Sequence, residues 1–575
     1  MAIKSANRQA LYNAGYGKMT LDQEHKGKAY VKPQFAILQI NITAGAVARN
    51  VAQIKRAVSG AMLAAGTKDL ICIAPELAVS GFPLIDLPDQ KGFLETCSEA
   101  IIGLAKELKD GPTLVLGAPE RRNGVNVSTL FVLSKGSITS LGSRPLEFAE
   151  AYGLKHRAPL PCDAIYKTFD FLGHRFAVRP GFATGGSLPP CDIVLSLDCE
   201  AFEPSLFAER ELVCMAYASM VEKPIIYVNA VGGNGSIVCY GGSTVCDASG
   251  KILLSTPCWR QEILIDNIDL LISNESSSRK DDQFSKNDLA KENLDPYDAV
   301  GNAILLGIRD FVRKSGFSKV CLGLSGGMDS SLVAALACDA LGKENVIPIM
   351  LPSPYTSEES IEDAKTLAEN LGIELKTLQI KPMMDAFDSS FSIAFGERLV
   401  GLSAENIQAR IRATALMAVS NQCGALLLST SNKSESAVGY GTIYGDMAGA
   451  FMPIVDVYKT DVYKLADWIN RIHGREIIPE NVFKKEPTAE LRYDQKDQDS
   501  LPPYNILDTI LRGIFEGHDL LENATSAVAD QQIVAKVAEL VRKSEFKRAQ
   551  SPLGLYVSSC PLALCRRSIP SSRVK

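Results

Sequence analysis

Hydrophobic residues in the first half of the chain alternate between short apolar runs and longer segments with helical spacing. The runs FAILQIN (35–41) and DLICIAPEL (69–77) predict strands, and residues 46–65 between them have the apolar spacing of a helix. VSTLFVLSKGSI predicts a hairpin, and the later runs CDIVLSLDC, KPIIYVNAVGG and STVCDASGKIL continue the series. This rhythm over residues 34–272 predicts an α/β sandwich.

A change of composition separates this region from the rest of the chain. Residues 273–295 are polar, charged and serine-rich, which is typical of a linker. Residues 1–33 also lack periodicity and are interpreted as an N-terminal extension. Pro296 then opens a helix, and strands and helices alternate over 296–575 in a pattern that predicts a doubly wound, Rossmann-like sheet. A chain of 575 residues is too long for one hydrophobic core, which agrees with two domains.

The segment 320–342, VCLGLSGGMDSSLVAALACDALG, combines an apolar strand, a glycine turn and a helix N-terminus. Such a turn binds anions, because its backbone N–H groups and the helix dipole both favour negative charge. The turn lacks the lysine of a Walker A loop and resembles the pyrophosphate-binding loop of ATP pyrophosphatases. Asp329 is a candidate ligand for Mg²⁺. The candidate ATP-binding residues of this turn are Ser325, Gly326, Gly327, Asp329, Ser330 and Ser331.

Two further stretches of the second domain carry candidate chemistry. In the stretch 429–468, Glu435, Asp446 and Lys459 accompany a glycine-rich loop that follows a predicted strand. Carboxylates gathered there make sense if Mg²⁺ and pyrophosphate lie between them. Met350 and Leu351 end another predicted strand, where they could flank adenine or belong to the apolar core.

Composition narrows the class of protein. A net charge of −6 argues against a nucleic acid or an acidic membrane as the main partner. No apolar run reaches membrane length, and the N-terminus lacks the apolar core of a signal peptide, so a cytoplasmic protein is expected. The 14 cysteines form no CxxC pair and are interpreted as core thiols.

The first domain resembles a known family in three segments: QINITAGAVARNVAQI, APELAVSGFPLIDL and YVNAVGGNGSIVCYGGSTVCDASGKIL. They resemble the nitrilase-type αββα fold, and more narrowly the glutaminase domain of glutamine-dependent NAD synthetases. That resemblance implies a Glu–Lys–Cys triad, of which Glu76 matches the glutamate. Counting from Gly136 puts Arg144 at the lysine position, and the strand HRFAV runs into Pro180 without a thiol. The fold is therefore expected to remain while the glutaminase chemistry is lost.

The second domain resembles the NAD synthetase domain over nearly all of 296–575. The resemblance rests on SGGMDSS, PSPYTSEESIEDA, ENIQAR, TSNKSE, GYGTIYGD, PTAELRYDQKDQDSLPPY and FKRAQ. It implies catalytic roles for Asp329, Asp446 and Lys459, an ATP contact at Thr430, and Mg²⁺ held by Asp329 and Glu435. The residues that it implies for deamido-NAD are Asn406, Glu435, Asp446 and Lys547.

The implied reaction is ATP-dependent amidation of deamido-NAD to NAD through an adenylate, with release of AMP and pyrophosphate. Mg²⁺ is the expected cofactor and ATP the co-substrate. Nitrogen is expected from free ammonia or from a separate glutaminase, and the chain is expected to form a homo-oligomer. Three alternatives stay open: glutamine use through a displaced Cys191 or Cys199, a tRNA-modifying or GMP-forming ATP pyrophosphatase, and a non-catalytic paralogue.

Overall fold

The computed structural model describes residues 33–146, 167–181, 188–272, 295–516 and 530–564. The chain divides into two compact units, Met1–Leu294 and Asp295–Lys575. Residues 1–32 of the predicted extension and 273–294 of the predicted linker lie outside the described residues. Each unit is therefore considered by itself.

The first unit contains two six-stranded sheets, with strand orders β14-β1-β2-β3-β4-β5 and β13-β12-β9-β8-β7-β6. Its described strands are β1 Gln34–Gln39, β2 Leu70–Ile73, β3 Thr113–Arg122, β4 Val125–Ser134, β5 Ser137–Pro145, β6 Lys167–Phe171, β7 His174–Pro180, β8 Ile193–Leu197, β9 Ile225–Val228, β10 Val231–Asn234, β11 Ile237–Tyr240, β12 Thr244–Cys246, β13 Ile252–Ser255 and β14 Glu262–Asn267. Its described helices are α1 Val47–Ala65, α2 Phe93–Glu107, α3 Pro204–Val221 and α4 Asp269–Ile272.

Strand β1 shows how the sequence builds these layers. Phe35 and Ile37 point into the core between the two sheets, whereas Ala36 and Leu38 point into a second core shared with α1 and α2. A strand buried on both faces needs a continuous apolar run, which FAILQ supplies. Helix α3 covers the outer face of the other sheet. The order helix, sheet, sheet, helix confirms the predicted αββα sandwich.

The second unit is built on a parallel four-stranded sheet of order β17-β16-β15-β18. Its described strands are β15 Val320–Gly323, β16 Val346–Met350, β17 Lys376–Thr377, β18 Leu426–Leu427, β19 Phe451–Met452 and β20 Leu553–Gly554. Its described helices are α5 Pro296–Lys314, α6 Met328–Leu341, α7 Glu358–Leu371, α8 Lys381–Phe395, α9 Leu402–Cys423, α10 Lys433–Val438, α11 Lys459–His473, α12 Glu480–Lys484, α13 Tyr504–Glu516, α14 Gln531–Lys543 and α15 Glu545–Arg548.

Helices cover both faces of this sheet. Ile411 and Ala415 of α9 pack against Cys321 and Ile349 of the strands, while α6 packs against α5 and α11. This arrangement confirms the doubly wound architecture. Strands β15 and β18 are neighbours and run parallel, so the segments that follow them leave the sheet at the same edge. That edge carries the SGGMDSS turn and the TSNKSE segment.

Two expectations from composition can be compared with the described residues. Nine described cysteines are buried thiols, as the core interpretation requires, but Cys560 takes part in a disulfide, contrary to that interpretation. No helix among the described residues is both long and apolar enough to cross a membrane.

Candidate functional site

The SGGMDSS turn connects β15 to α6 in a conformation that requires glycine. Gly326 has φ +77°, and a Cβ at this position would collide with the carbonyl oxygen of Ser360. The hydroxyls of Ser330 and Ser331 donate to the carbonyl of Gly327 at 3.1 and 2.8 Å. The Gly327 N–H donates to the Ser325 hydroxyl at 3.2 Å. The serines therefore shape the turn that the sequence predicts to bind phosphate.

Lys459 lies at the centre of the predicted synthetase site. It begins α11, and its ammonium is paired with the Asp329 carboxylate and lies 3.7 Å from Oε1 of Glu435. Asp329 stands in the first turn of α6 and also accepts a hydrogen bond of 2.9 Å from the Asn432 amide. The Lys459 backbone N–H donates to the Ser434 hydroxyl at 2.8 Å. Helices α6, α10 and α11 thus bring together three residues that the sequence analysis selected.

The charges in this cluster do not balance. Burial, followed by the nearby Asp329 charge, raises the pKa of Glu435 to about 8. Burial lowers the pKa of Lys459, but Asp329 and Glu435 outweigh that effect and hold this pKa above its ordinary value. Two carboxylates therefore share one ammonium, and the cluster can accept a further cation.

The donor set fits magnesium when phosphate completes the coordination. Asp329 and Glu435 offer carboxylate oxygens, the hard ligands that Mg²⁺ prefers. Within the described ranges, no group of three or more His, Cys, Asp or Glu side chains forms a ready metal site. This agrees with the usual binding of Mg²⁺, which uses one or two protein carboxylates together with substrate phosphates.

The glycine-rich loop 439–446 gathers three residues predicted for deamido-NAD. The Asp446 carboxylate accepts a 2.8 Å bond from the Thr442 N–H, and the Thr442 hydroxyl donates to the Asn406 side chain at 2.8 Å. Lys547 donates to the carbonyls of Gly439 and Gly441 at 2.7 and 2.6 Å. Burial raises the pKa of Asp446 and lowers the pKa of Lys547. Asn406, Asp446 and Lys547 therefore surround one loop.

Two predicted ATP contacts have different surroundings. Leu351 is 8% exposed and belongs to the apolar core beneath the sheet edge, which favours the core alternative over a contact with adenine. Thr430 is half-buried and follows β18 at the same edge as the glycine turn.

The sequence analysis missed two groups of residues near this site. Asp497 accepts hydrogen bonds from the hydroxyls of Tyr440 and Tyr504 at 3.1 and 2.8 Å. The Arg412 guanidinium donates to the carbonyl of Leu351 at 3.1 Å, and burial lowers its pKa to about 10. Both Asp497 and Arg412 lie in or beside segments that carried the family resemblance, which was the available signal for them.

The lysine of TSNKSE, Lys433, is surrounded by protein groups that bind its ammonium. Lys433 is fully buried and pairs with Asp456 at 3.0 Å. It also donates to the Ser558 hydroxyl at 2.8 Å and to the Cys560 carbonyl at 2.7 Å. Its ammonium is thereby engaged with the segment near the end of the described chain, so Lys433 anchors that segment to α10.

At the position predicted for the glutaminase triad, the first unit contains a buried ion pair between Glu76 and Arg144. Arg144 of β5 donates to both oxygens of Glu76, at 2.7 and 3.0 Å, and both side chains are buried. Strand β7 ends at Pro180. The carbonyl of Gly181 accepts bonds from Arg179 and Ser196 at 2.7 and 2.8 Å. The residues 179–187, RPGFATGGS, contain no cysteine. Arg144 therefore contacts Glu76, and the turn after β7 offers no thiol.

The two alternative cysteines lie in different places. Cys199 is buried just after β8, and burial followed by the negative charges around it, that of Glu76 included, raises its pKa well above the ordinary value. Cys191 packs with Ala177 and Val194 in the core beneath α3. Of these two cysteines, Cys199 is the one whose pKa the Glu76 charge affects.

An αββα unit joined to a doubly wound unit with a glycine–serine turn and paired acids defines a class, the two-unit α/β ligases that consume ATP. Comparison with known proteins narrows that class. Residues 300–551 match the NAD synthase family. The glutamine-dependent NAD(+) synthetase of Synechocystis is 36% identical over 551 residues, covering 91% of this chain and 96% of that protein. The one from Aquifex aeolicus is 36% identical over 555 residues, covering 91% and 96%.

Solved structures give the same result. The glutamine-dependent NAD⁺ synthetase of Acinetobacter baumannii in complex with ADP aligns with a TM-score of 0.66 at 29% identity, covering 93% of this chain and 98% of that one. The synthetase from Cytophaga hutchinsonii aligns with a TM-score of 0.76 at 19% identity, over 94% and 98%, and supports the fold alone. The chain belongs to the glutamine-dependent NAD synthetase family and is a ligase.

Proposed function

We propose that this chain makes NAD from deamido-NAD, ATP and ammonia, and that its first unit has lost the glutaminase reaction of the family. The observation that carries the proposal is the environment of Glu76. Its carboxylate is held by both arms of the Arg144 guanidinium, and the turn at Pro180 provides no nucleophile. Hydrolysis of glutamine by a covalent route then has no first step, because a base without a thiol forms no acyl-enzyme.

The ion pair also removes the general base. Both oxygens of Glu76 accept hydrogen bonds from the buried Arg144 guanidinium, which takes the place of a substrate proton as their partner. A lysine could move its compact ammonium away from the glutamate, whereas the planar guanidinium keeps both oxygens occupied. The nucleophile is missing, the lysine is replaced and the glutamate is occupied, so all three triad functions are altered at once, which supports loss of the reaction over a small change in its rate.

In the second unit, ATP activates a carboxylate that ammonia cannot attack directly. Transfer of AMP to the nicotinate carboxylate of deamido-NAD gives a mixed anhydride, and attack by ammonia then releases AMP. The SGGMDSS turn and the Lys459 ammonium would hold the departing pyrophosphate, because both present positive partial or full charge. Asp329 and Glu435 would hold Mg²⁺, which supplies further neutralisation of phosphate charge.

The loop 439–446 is the proposed acceptor site. Asn406, Asp446 and Lys547 lie around it, and they provide an amide, a carboxylate and an ammonium for a dinucleotide. Lys547 donates to the carbonyls of Gly439 and Gly441. It would exchange these bonds for a phosphate or carboxylate of deamido-NAD, a stronger charge-assisted partner.

The proposal is tested by measuring NAD formation from deamido-NAD, ATP and Mg²⁺ with ammonium or glutamine as the nitrogen source. Turnover with ammonium and none with glutamine is the expected result. Equal turnover with glutamine would overturn the loss of the glutaminase reaction and would demand another nucleophile. Absence of turnover with either source would favour the non-catalytic alternative or a separate glutaminase partner.

A second candidate is glutamine use through Cys199, which lies near enough to Glu76 for the carboxylate charge to raise its pKa. Burial argues against it, because a thiol with a strongly raised pKa is rarely a thiolate at neutral pH. Cys199→Ser decides the matter when compared with Cys191→Ser, the control in the opposite core. Loss of glutamine-driven turnover in Cys199→Ser alone would support this candidate.

We also propose that the chain assembles with a second copy of itself through α8. None of the residues of this helix is buried, although Phe387, Ile393 and Phe395 carry large apolar side chains. Ile393 and Phe395 are 85% and 69% exposed, more than is usual for apolar residues on a monomer surface. Sedimentation of the full chain should give a dimer or larger assembly that Ile393→Asp dissociates; a wild-type monomer would refute this proposal.

A further inference from the structure

Asp497 joins two loops of the second unit. It lies in the 3₁₀ turn Asp497–Asp499 and is only 5% exposed. One carboxylate oxygen accepts the Tyr440 hydroxyl at 3.1 Å, and the other accepts the Tyr504 hydroxyl at 2.8 Å. Its backbone N–H donates to the carbonyl of Pro487 at 3.2 Å. A buried carboxylate with two tyrosine donors fixes its neighbours, since breaking either bond leaves a charged oxygen poorly satisfied.

Tyr504 connects this carboxylate to the Lys459 cluster. Its ring lies 5.5 Å below the Lys459 ammonium, within the range of a cation–π contact. The helix that Tyr504 begins, α13, is tied to α11 because Asp508 accepts the Thr460 N–H at 2.9 Å. Asp508 also accepts the Ser434 hydroxyl of α10. The ring is thus held by its hydroxyl on one side and by its helix on the other.

Tyr440 is the second tyrosine whose hydroxyl donates to Asp497. It lies in the loop 439–446, two residues after α10 ends, and the carbonyls and side chains of this loop contact Asn406 and Lys547. Its hydroxyl bond to Asp497 therefore couples the proposed acceptor loop to the carboxylate that also holds Tyr504. No contact between Asp497 and the predicted phosphate turn is needed for this coupling.

We propose that Asp497, acting through Tyr504 and Tyr440, is a positioning residue of the synthetase reaction. Tyr504 keeps the Lys459 ammonium between Asp329 and Glu435, and Tyr440 keeps the acceptor loop closed against the same carboxylate. This inference rests on the proposed use of Lys459 and the loop 439–446 in adenylate formation. Its consequence concerns the fate of the adenylate more than the binding of ATP.

The adenylate has two ways to react. Ammonia attacks its carbonyl carbon, the bond from that carbon to the phosphate oxygen breaks, a proton leaves the nitrogen, and NAD and AMP are formed. Water attacks the same carbon with the same bond breaking and returns deamido-NAD and AMP. A displaced acceptor loop admits water, so weakening the Asp497 bonds raises the amount of AMP formed per NAD.

The test uses the full chain with three conservative variants, Tyr504→Phe, Tyr440→Phe and Asp497→Asn. Tyr504→Phe retains the ring near Lys459 and removes the bond to Asp497. We expect kcat to fall about tenfold in Tyr504→Phe and Asp497→Asn, the range for one hydrogen bond to a charged group, with KM for ATP nearly unchanged. Tyr440→Phe should mainly raise the AMP to NAD ratio. The matched control is Tyr297→Phe, which removes a 2.8 Å hydroxyl bond to Asp461 in the same unit.

A double-mutant cycle of Tyr504 and Asp497 tests directly whether the two residues act through their shared hydrogen bond. In this cycle, the fold-decrease in kcat for Tyr504→Phe combined with Asp497→Asn should be smaller than the product of the two single fold-decreases. Both substitutions act on the same hydrogen bond. A wild-type AMP to NAD ratio and kcat in folded Tyr504→Phe and Asp497→Asn would overturn the proposal. Independent, multiplying effects would also overturn it.

A readout that does not depend on the nitrogen source separates this inference from the proposed function. AMP formation from ATP and deamido-NAD without any nitrogen donor reports adenylate formation and hydrolysis directly. A wild-type enzyme that uses glutamine would refute the proposed nitrogen source, while the variants would still be compared in this assay. A wild-type enzyme that forms no AMP would refute the inference together with the site on which it rests.

Discussion

The two units each contain a buried carboxylate paired with a cation, but the two pairs differ in balance. In the first unit, Glu76 meets Arg144 through two hydrogen bonds, one positive charge against one negative charge. In the second unit, the Lys459 ammonium faces both Asp329 and Glu435. The first pair matches one cation to one carboxylate, whereas in the second two carboxyl groups share one cation, and the pKa of Glu435 is raised to about 8.

The two pairs differ in how far each satisfies its own charges. A buried pair with matched charges and bidentate geometry satisfies its own atoms and resists rearrangement. A cluster with unequal charges has perturbed pKa values, and the pKa of about 8 for Glu435 is the sign of that imbalance. The first unit has the αββα fold with a charge-matched pair at Glu76, and the second unit has a cluster in which two carboxyl groups face one ammonium.

Breaking the balanced pair should give the largest effect. Glu76→Gln leaves the Arg144 guanidinium buried beside a neutral amide, and we expect a loss of about 3–5 kcal/mol in the free energy of unfolding. Urea denaturation of the full chain measures it. Asp170→Asn removes an exposed ion pair with Arg175 and should leave the free energy of unfolding nearly unchanged. Equal effects of the two substitutions would show that the Glu76 pair carries no special stability.

Breaking the unbalanced cluster should affect catalysis more than stability. Asp329→Asn removes a proposed Mg²⁺ ligand and the nearest partner of Lys459, so we expect NAD formation to fall about 10²–10³-fold. Asp339→Asn, at the far end of the same helix, removes an ion pair with His473 and should leave the rate within about threefold. A similar modest effect of Asp329→Asn would exclude this residue from the reaction.

The dependence of stability on pH sharpens the comparison further. The pKa of Glu435 rises from an ordinary value of 4.5 to about 8 in the folded protein. A raised carboxyl pKa adds stability below the unfolded pKa, and that stability is lost as the pH rises through the folded pKa. The ligand-free protein should therefore lose thermal stability between about pH 5 and 8. Glu435→Gln should flatten this slope, and identical slopes would contradict the assignment.

The smallest effect is expected from keeping the charge of the balanced pair while changing its shape. Arg144→Lys retains one positive charge but loses the second parallel hydrogen bond to Glu76. We expect a loss of about 1–2 kcal/mol in the free energy of unfolding, less than for Glu76→Gln. A destabilisation as large as that of Glu76→Gln would mean that the geometry of the guanidinium matters more than its charge.

Local patterns made much of this molecule predictable. The strand–glycine–helix turn at Ser325 depends on neighbours in sequence, so its structure followed from the residues themselves. Counting from Gly136 placed Arg144 at the lysine position that the resemblance implies, and the structure shows this side chain in contact with Glu76. The strand ends that carry the second site follow from the rule for parallel sheets.

Contacts between distant segments could not be predicted in this way. Asp497 receives hydrogen bonds from residues on two other segments, and nothing in the spacing of QKDQDS indicates which tyrosines will reach it. The role of Leu351 depended on whether its side chain turned inward, which is decided by packing with Ile380 and Ile411. Lys433 stands in the polar motif TSNKSE, yet its ammonium donates to the Cys560 carbonyl.

The position of Lys433 has a consequence for the order in which the protein is made. Asp456, its partner, also accepts the backbone N–H groups of Val557 and Ser558 at 2.9 and 2.8 Å. A nascent chain that has not yet reached Cys560 carries this lysine and this aspartate without the groups that surround them in the native protein. The second unit therefore completes the surroundings of Lys433 only after residues 557–560 have left the ribosome.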